Sequence, residues 1–301
     1  MSNLKLACAQ YPIGHFTSTD EWAANAARWV AEAVGKGAQL LVFPEYGSME
    51  LTSLMAPAVQ QDLLGQIEAM QAMLPLFLAT YEALARKHGV IIVAPSLPVK
   101  EEGRFLNRAH VFSPHGLMGY QDKRQMTRFE REQWFIEGGT ALHLFDLASV
   151  GVDARFGITI CYDVEFPLIA HALSEAGADL VLAPSCTDRM AGAHRVQTGA
   201  RARALENQIY VAVSPTVGEA PWSPAVDVNN GWASVLATPD RGFPEDGVIA
   251  AGVCSEPCWV YADLDFDLVR SARADAQVFT RSDWVLQDRP SLHVTPPVLP
   301  G

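Results

Sequence analysis

Three side chains of complementary chemistry stand at the C-terminal ends of expected strands in this 301-residue chain. Glu45 follows Leu40-Leu-Val-Phe-Pro44, Lys123 ends Leu117-Met-Gly-Tyr-Gln-Asp, and Cys161 ends Phe156-Gly-Ile-Thr-Ile. Ligands of open α/β sheets gather at the carboxyl ends of strands, so a carboxylate, an ammonium and a thiol at three such ends are expected to share one pocket. A thiol of ordinary pKa, ~8.5, is mostly protonated at neutral pH and needs a base or a positive field to become a nucleophile. Glu45 is the expected base for Cys161, and Lys123 the expected donor to an oxyanion, a set suited to attack on a carbonyl or nitrile carbon. Each residue alone has a plainer reading: a cap or surface acid, a solvated lysine, a small core thiol. The sequence holds no GxGxxG after a strand, no P-loop, no HExxH and no GxSxG. Cys254 and Cys258 are the one close cysteine pair. With no second pair they read as core or turn residues, and no metal is expected.

The elements that must position these residues follow from periodicity. Residues 4–10 read as a strand. Trp22, Ala26, Trp29, Val30 and Ala33 recur at steps of three and four, a helix over 21–35. Residues 39–43 form a buried strand stopped by Pro44. Residues 58–88 carry one or two helices, according to whether Pro75 breaks the run. Strands are expected at 90–94, 105–113 and 117–123. Residues 152–161 alternate, with Val152, Ala154, Phe156, Ile158 and Ile160 on one face, and read as a strand ending at Cys161. Helices at 166–176 and 194–206 alternate with strands at 180–183 and 210–214. A long loop at 215–231, stiffened by Pro215, Pro221 and Pro224, precedes strands at 232–238, 248–253 and 258–263. Strand–helix alternation with inserted hairpins predicts an α/β fold whose helices cover sheet faces, and so many short strands suggest two sheets. Without a linker or an internal repeat, residues 1–289 read as one domain and 290–301 as a Pro-rich tail.

Composition narrows the class. Hydrophobic residues are 49% and charged residues 19%, which excludes a disordered chain and a highly charged coiled coil. Lys and Arg number 22 against 34 Asp and Glu, a net charge of −12 that repels phosphate backbones, so no nucleic-acid partner is expected. No apolar run reaches the ~18 residues of a membrane span, and no membrane partner is expected. Five cysteines, an odd number, and a start without a signal-peptide core suggest reduced thiols in the cytoplasm.

The strings around the three residues, Leu40-Leu-Val-Phe-Pro-Glu45, Tyr120-x-x-Lys123 and Gly157-Ile-Thr-Ile-Cys161-Tyr-Asp-x-x-Phe-Pro167, together resemble the three signatures of the nitrilase, or carbon–nitrogen hydrolase, superfamily. Ala7-Cys-Ala-Gln10, Gly177-Ala-Asp-Leu with Pro184-Ser185, and Ala202-Arg-Ala-Leu-Glu-Asn207 agree, so the resemblance covers roughly residues 4–285. It implies a four-layer α-β-β-α sandwich with two mixed sheets, assembled as a homodimer or higher homo-oligomer. It implies a Glu45–Lys123–Cys161 triad with a second glutamate, Glu130 by best match and Glu132 as its rival. It also implies hydrolysis of a non-peptide C–N bond by water through a cysteine thioester, without a cofactor, on a small-molecule amide. Tyr46, Trp134, Tyr162, Ser185, Cys186 and His194 are the expected substrate-facing residues. Cys161-Tyr162-Asp163 resembles amidase- and carbamoylase-like branches rather than nitrilases proper. Val164 and Glu165 stand where carbamoyl-amino-acid hydrolases place arginines, which argues against that substrate; Arg189, Arg195, Arg201 and Arg203 supply an anion site or surface salt bridges. Nitrile hydrolysis, N-carbamoyl hydrolysis, acyl transfer on the same residues, or a binding scaffold are the alternatives.

Overall fold

A computed structural model describes residues 2–287 together with 291 and 293; apart from those two positions, the expected tail 290–301 lies outside the described residues. Its centre is the N-terminal strand Asn3–Pro12, longer at both ends than the apolar run alone suggested. Side chains alternate along it. Leu4, Leu6 and Cys8 face a core shared with Leu40, Val42, Ile91, Val93 and Val111. Ala7, Ala9 and Tyr11 face a second core with Leu41, Phe43 and Ile92. The period of two thus feeds two cores from one sheet. Helices Thr19–Gly35 and Leu63–His88 cover the second core through Trp22, Trp29, Phe77 and Tyr81. Helices Pro167–Glu175 and Met190–Asn207 add Leu173, Val196 and Ala200 to the first.

Along the sheet lie Leu97–Glu101, Arg104–Ser113, Ile91–Val93, Leu40–Val42, Asn3–Pro12, Tyr210–Glu219, Leu180–Ser185, Arg155–Ile158 and Leu144–Asp146. Asn3–Pro12 also pairs antiparallel with Cys258–Asp265, from Asn3 opposite Asp265 to Gln10 opposite Cys258. Hydrogen bonding runs through the described strands as one curled mixed sheet. Its two halves meet where Tyr11 and Pro12 pair with Thr216 and Val217.

Several boundaries differ from expectation. Asp62 caps helix Leu63–His88, accepting from the Leu64 N–H, and the helix runs through Pro75 unbroken. Pro75 lies on its exposed side, where water can satisfy the carbonyl that loses its partner. By length and composition this helix could cross a membrane, although no unbroken apolar run announces it. Its Ile67, Met70, Phe77 and Tyr81 are buried against the sheet. Strand Tyr210–Glu219 extends into the expected loop, and its end pairs back onto Val228 and Asn229.

Candidate active site

Each expected reactive residue sits where regular structure stops. Strand Leu40–Val42 passes into Phe43, whose N–H still donates to Val93 O at 3.0 Å, and Pro44 ends the ladder. Glu45 follows, and Tyr46 takes a left-handed φ of 53° before the 3-10 helix Gly47–Leu54. The Tyr46 N–H donates to Ser96 Oγ at 3.0 Å, which fixes this turn. Lys123 directly follows strand Gly116–Asp122, and its N–H donates to Asn107 O at 2.8 Å. Glu130 lies on the short helix Arg128–Glu132, in a reciprocal capping box with Thr127.

Cys161 departs from expectation. Its strand, Arg155–Ile158, ends three residues earlier, and Cys161 opens the 3-10 helix Cys161–Glu165 with a left-handed φ of 49°. A side chain still in the pleat would point along the strand's alternation; the left-handed residue redirects it. Such backbone is uncommon for a residue other than glycine and persists only where its surroundings hold it.

These elements bring Glu45, Lys123, Glu130 and Cys161 together. Lys123 Nζ lies 2.7 Å from Glu45 Oε1 and 2.6 Å from Glu130 Oε2, and all three side chains are nearly excluded from solvent. Tyr46 OH donates to Glu130 Oε1 at 2.8 Å. Asn107, which sequence reasoning missed, donates from Nδ2 to Glu45 Oε1 at 2.9 Å, and its Oδ1 has no partner among the described residues. The strand Arg104–Ser113 also carries Arg108 and His110, so no contrast of polarity singles Asn107 out in the sequence. Glu132 is instead an exposed partner of Arg128, at 2.7 Å.

One ammonium between two dry carboxylates cannot favour ionisation of both. Glu130 accepts from Lys123, Tyr46 and the Thr127 N–H and hydroxyl; Glu45 accepts from Lys123 and Asn107. Burial works to raise Glu130, yet Lys123 and these donors hold it below the usual carboxylate range. Burial pushes Glu45 up to about 7, against the pull of Lys123 and with Glu130 adding to the rise. Lys123 stays charged: burial opposes this, but Glu130 and Glu45 carry its pKa well above the ordinary value. Burial and then Glu45 raise the Cys161 thiol, so it rests protonated beside a carboxyl group poised to exchange a proton near neutrality.

These groups line a cavity of about 400 Å³, within the ordinary range for small-molecule sites. Tyr46, Trp134, Tyr162 and Cys186 line it as expected. Ser185 and His194 do not. Ser185 ends strand Leu180–Ser185 and is buried against neighbouring side chains, leaving its successor Cys186 to face the cavity. Helix Met190–Asn207 starts before residue 194, so His194 falls on an exposed turn with its ring edge-on to Trp232. Arg195, one residue on, reaches the cavity wall and pairs with Glu165 at 3.5 Å. Arg189 pairs with Asp188 at the surface, the salt-bridge alternative, whereas Arg203 is buried, pairing with Glu206 and donating to Val164 O at 3.2 Å. Pro224, Ala225, Asp227 and Val228 add a wall from the 215–231 segment.

The carbon–nitrogen hydrolase family model matches residues 5–274. A probable hydrolase of Bacillus subtilis, YhcX, is 29% identical over 91% of this chain, which spans 52% of that protein. The omega-amidase NIT2 of Danio rerio is 26% identical, with 91% of this chain and 92% of that protein covered. Among solved structures, Saccharomyces cerevisiae Nit3, of the nitrilase superfamily, superposes with a TM-score of 0.70 at 20% identity, covering 91% of this chain and 94% of that one. An amidase from Nesterenkonia sp. superposes with a TM-score of 0.64 at 22% identity, covering 90% and 94%.

Proposed function

This chain belongs to the carbon–nitrogen hydrolase family, and from that premise we propose that it hydrolyses a small or medium amide to an acid and an amine or ammonia through a thioester on Cys161. The observation that carries the reading is the Lys123 ammonium, clasped by Glu45 and Glu130 at 2.7 and 2.6 Å on a cavity that Cys161 also lines. In this mechanism the ionised Glu45 takes the thiol proton as sulfur attacks the carbonyl carbon. The oxyanion is met by Lys123 and the Tyr162 N–H. The intermediate expels the amine, which takes the proton from Glu45. Glu45 then removes a proton from water, the hydroxide attacks the thioester, and the acid leaves as Cys161 regains its proton. Glu130, fixed by its capping box, holds Lys123 in place. The reading is supported by a fold relative, an amidase from Nesterenkonia sp., whose glutamate-to-glutamine mutant shows Michael addition of acrylamide at the active-site cysteine.

An amide is favoured over a carbamoyl amino acid. Glu165 lines the cavity where the latter would need a cationic clamp, and Arg195 is already paired with it. The four-layer sandwich belongs to this reading, supported by two cores on opposite faces of Asn3–Pro12. So does a two-fold dimer, supported by exposed Leu168, Val285 and Leu286 near the stacked His171 and Trp284; a monomer by light scattering at micromolar concentration overturns it. The cytoplasm suits a chain whose five cysteines are all unpaired.

The test is Glu45→Gln with an activated ester or amide. Gln keeps the shape but cannot take a proton from water, so the thioester is expected to accumulate on the Cys161 peptide by mass spectrometry. An adduct on Cys186 instead, or undiminished turnover, refutes the mechanism.

A further inference from the structure

Among the buried carboxylates that the mechanism leaves unused, one lies close to Cys161 in the chain. Asp163, 1% exposed, lies two residues after Cys161. Its Oδ1 accepts from the Gln125 N–H at 2.7 Å and from the Arg124 N–H at 3.1 Å; its Oδ2 accepts from the Ile160 N–H at 3.1 Å. Arg124 immediately follows Lys123, and Ile160 immediately precedes Cys161. The bond to Ile160 is a local cap on the 3-10 helix that Cys161 opens. The bonds to Arg124 and Gln125 span 39 and 38 residues and serve no local turn.

Lys123 belongs to the half of the sheet that holds Leu40–Val42 and Arg104–Ser113; Cys161 belongs to the half that holds Arg155–Ile158 and Leu180–Ser185. The sheet's own hydrogen bonds join these halves at Tyr11 and Pro12. Relative placement of ammonium and thiol therefore needs a tie at the site itself. We propose that Asp163 is a positioning residue that sets the Lys123–Cys161 geometry by holding the backbone N–H groups of Arg124, Gln125 and Ile160. A carboxylate suits this role because, ionised, it only accepts, and all its partners only donate. Lys123 is the charged group that faces it; burial raises Asp163 to about 6, and Lys123 and the three N–H groups oppose that rise. The inference rests on the proposed thiol mechanism.

The test compares Asp163→Asn and Asp163→Glu with Asp240→Asn. Asp240 is a buried carboxylate that accepts backbone N–H groups of Arg241 and Gln277 away from the cavity. The readouts are kcat and KM for amide hydrolysis, melting temperature, and the rate at which iodoacetamide labels Cys161 relative to exposed Cys254. Asn turns an amide NH₂ against a backbone N–H, so kcat is expected to fall about 100-fold with KM within about threefold, the effect of a displacement near 1 Å. The Cys161:Cys254 labelling ratio should change with it. Glu keeps the charge but moves it by one methylene, and should recover part of kcat. Asp240→Asn should lower the melting temperature while kcat and labelling stay as in wild type. Should Asp163→Asn not fold, Asp163→Glu alone decides, with an expected loss of at least about tenfold in kcat at unchanged KM. Wild-type kcat in either folded Asp163 variant, or equal losses in Asp240→Asn, overturns the proposal. Wild-type enzyme with neither amide turnover nor Cys161 labelling overturns the hydrolase reading itself, and the role of Asp163 with it.

Discussion

The proton chemistry assigned to Glu45 fixes the shape of the pH–rate profile. Glu45 must be ionised to accept the thiol proton, so kcat/KM should rise with pH through its folded-state pKa of about 7 and level off above it. At pH 5.5 only about 3% of such a group is ionised, and kcat/KM should stand roughly 30-fold below its plateau. An ordinary glutamate at 4.5 would be about 90% ionised there, with almost no loss. The other groups facing Glu45 leave the limb uncomplicated. Glu130 is held ionised, while Lys123 and Cys161 are both held well above their ordinary values, so neither adds a fall or a second rise between pH 7 and 9. The assay is kcat/KM from pH 5 to 9 at constant ionic strength, with an amide that does not itself titrate in that range. A midpoint near 4.5, or a bell that falls by pH 8, refutes the assignment of the base.

Lys123→Met preserves bulk but offers no charge to an oxyanion, and kcat should fall by about 10²–10³, corresponding to ~2.7–4 kcal/mol; near-wild-type turnover by a folded variant makes Lys123 structural. Glu50 bears on stability rather than rate. It is fully buried among Tyr11, Trp22 and Gly14, and burial, opposed by those donors, raises it from 4.5 to about 8. The folded state keeps a proton that the unfolded state has lost, so this contribution is full below pH 4.5 and disappears as pH climbs to 8, up to on the order of 5 kcal/mol. Glu50→Gln should therefore melt progressively higher than wild type as pH is raised from 5 to 8; a pH-independent difference contradicts this.

The sequence made most of the candidate site visible because chain ends of buried strands leave a strong mark. The apolar run ending in Glu45 is read directly, Lys123 follows the expected strand 117–123, and the structure carries both residues to one cavity. Cys161 lines the same cavity, but by a local geometry that alternation does not predict. Alternation over 152–161 imitates a strand; the Thr159 N–H still donates to Leu182 O at 2.8 Å, but Asp163 captures the next donor, the Ile160 N–H. Periodicity cannot register a side chain that outcompetes a neighbouring strand for backbone donors. The difference between His194 and Arg195 is similarly small: one residue on a helix is ~100° of rotation, so the start of the helix decides which side chain meets the cavity. For Glu130 and Glu132, two residues place the side chains on nearly opposite faces, one to Lys123 and one to solvent with Arg128.

Pairing of the first strand with Cys258–Asp265 bears on the birth of the protein at the ribosome. Asn3–Pro12 is made before every other described strand, yet its antiparallel neighbour emerges some 250 residues later, from Cys258 onward. At about 5–20 residues per second, that wait is roughly 13–50 s. Throughout it, the edge from Asn3 to Gln10 is an open row of amides and carbonyls on an apolar strand, the kind of surface that recruits foreign strands. Until its closing strand arrives, the nascent chain keeps this edge open to mispairing. Truncation before Cys258 would leave that vulnerable edge uncovered for good, even though every side chain assigned to the chemistry would already have been made.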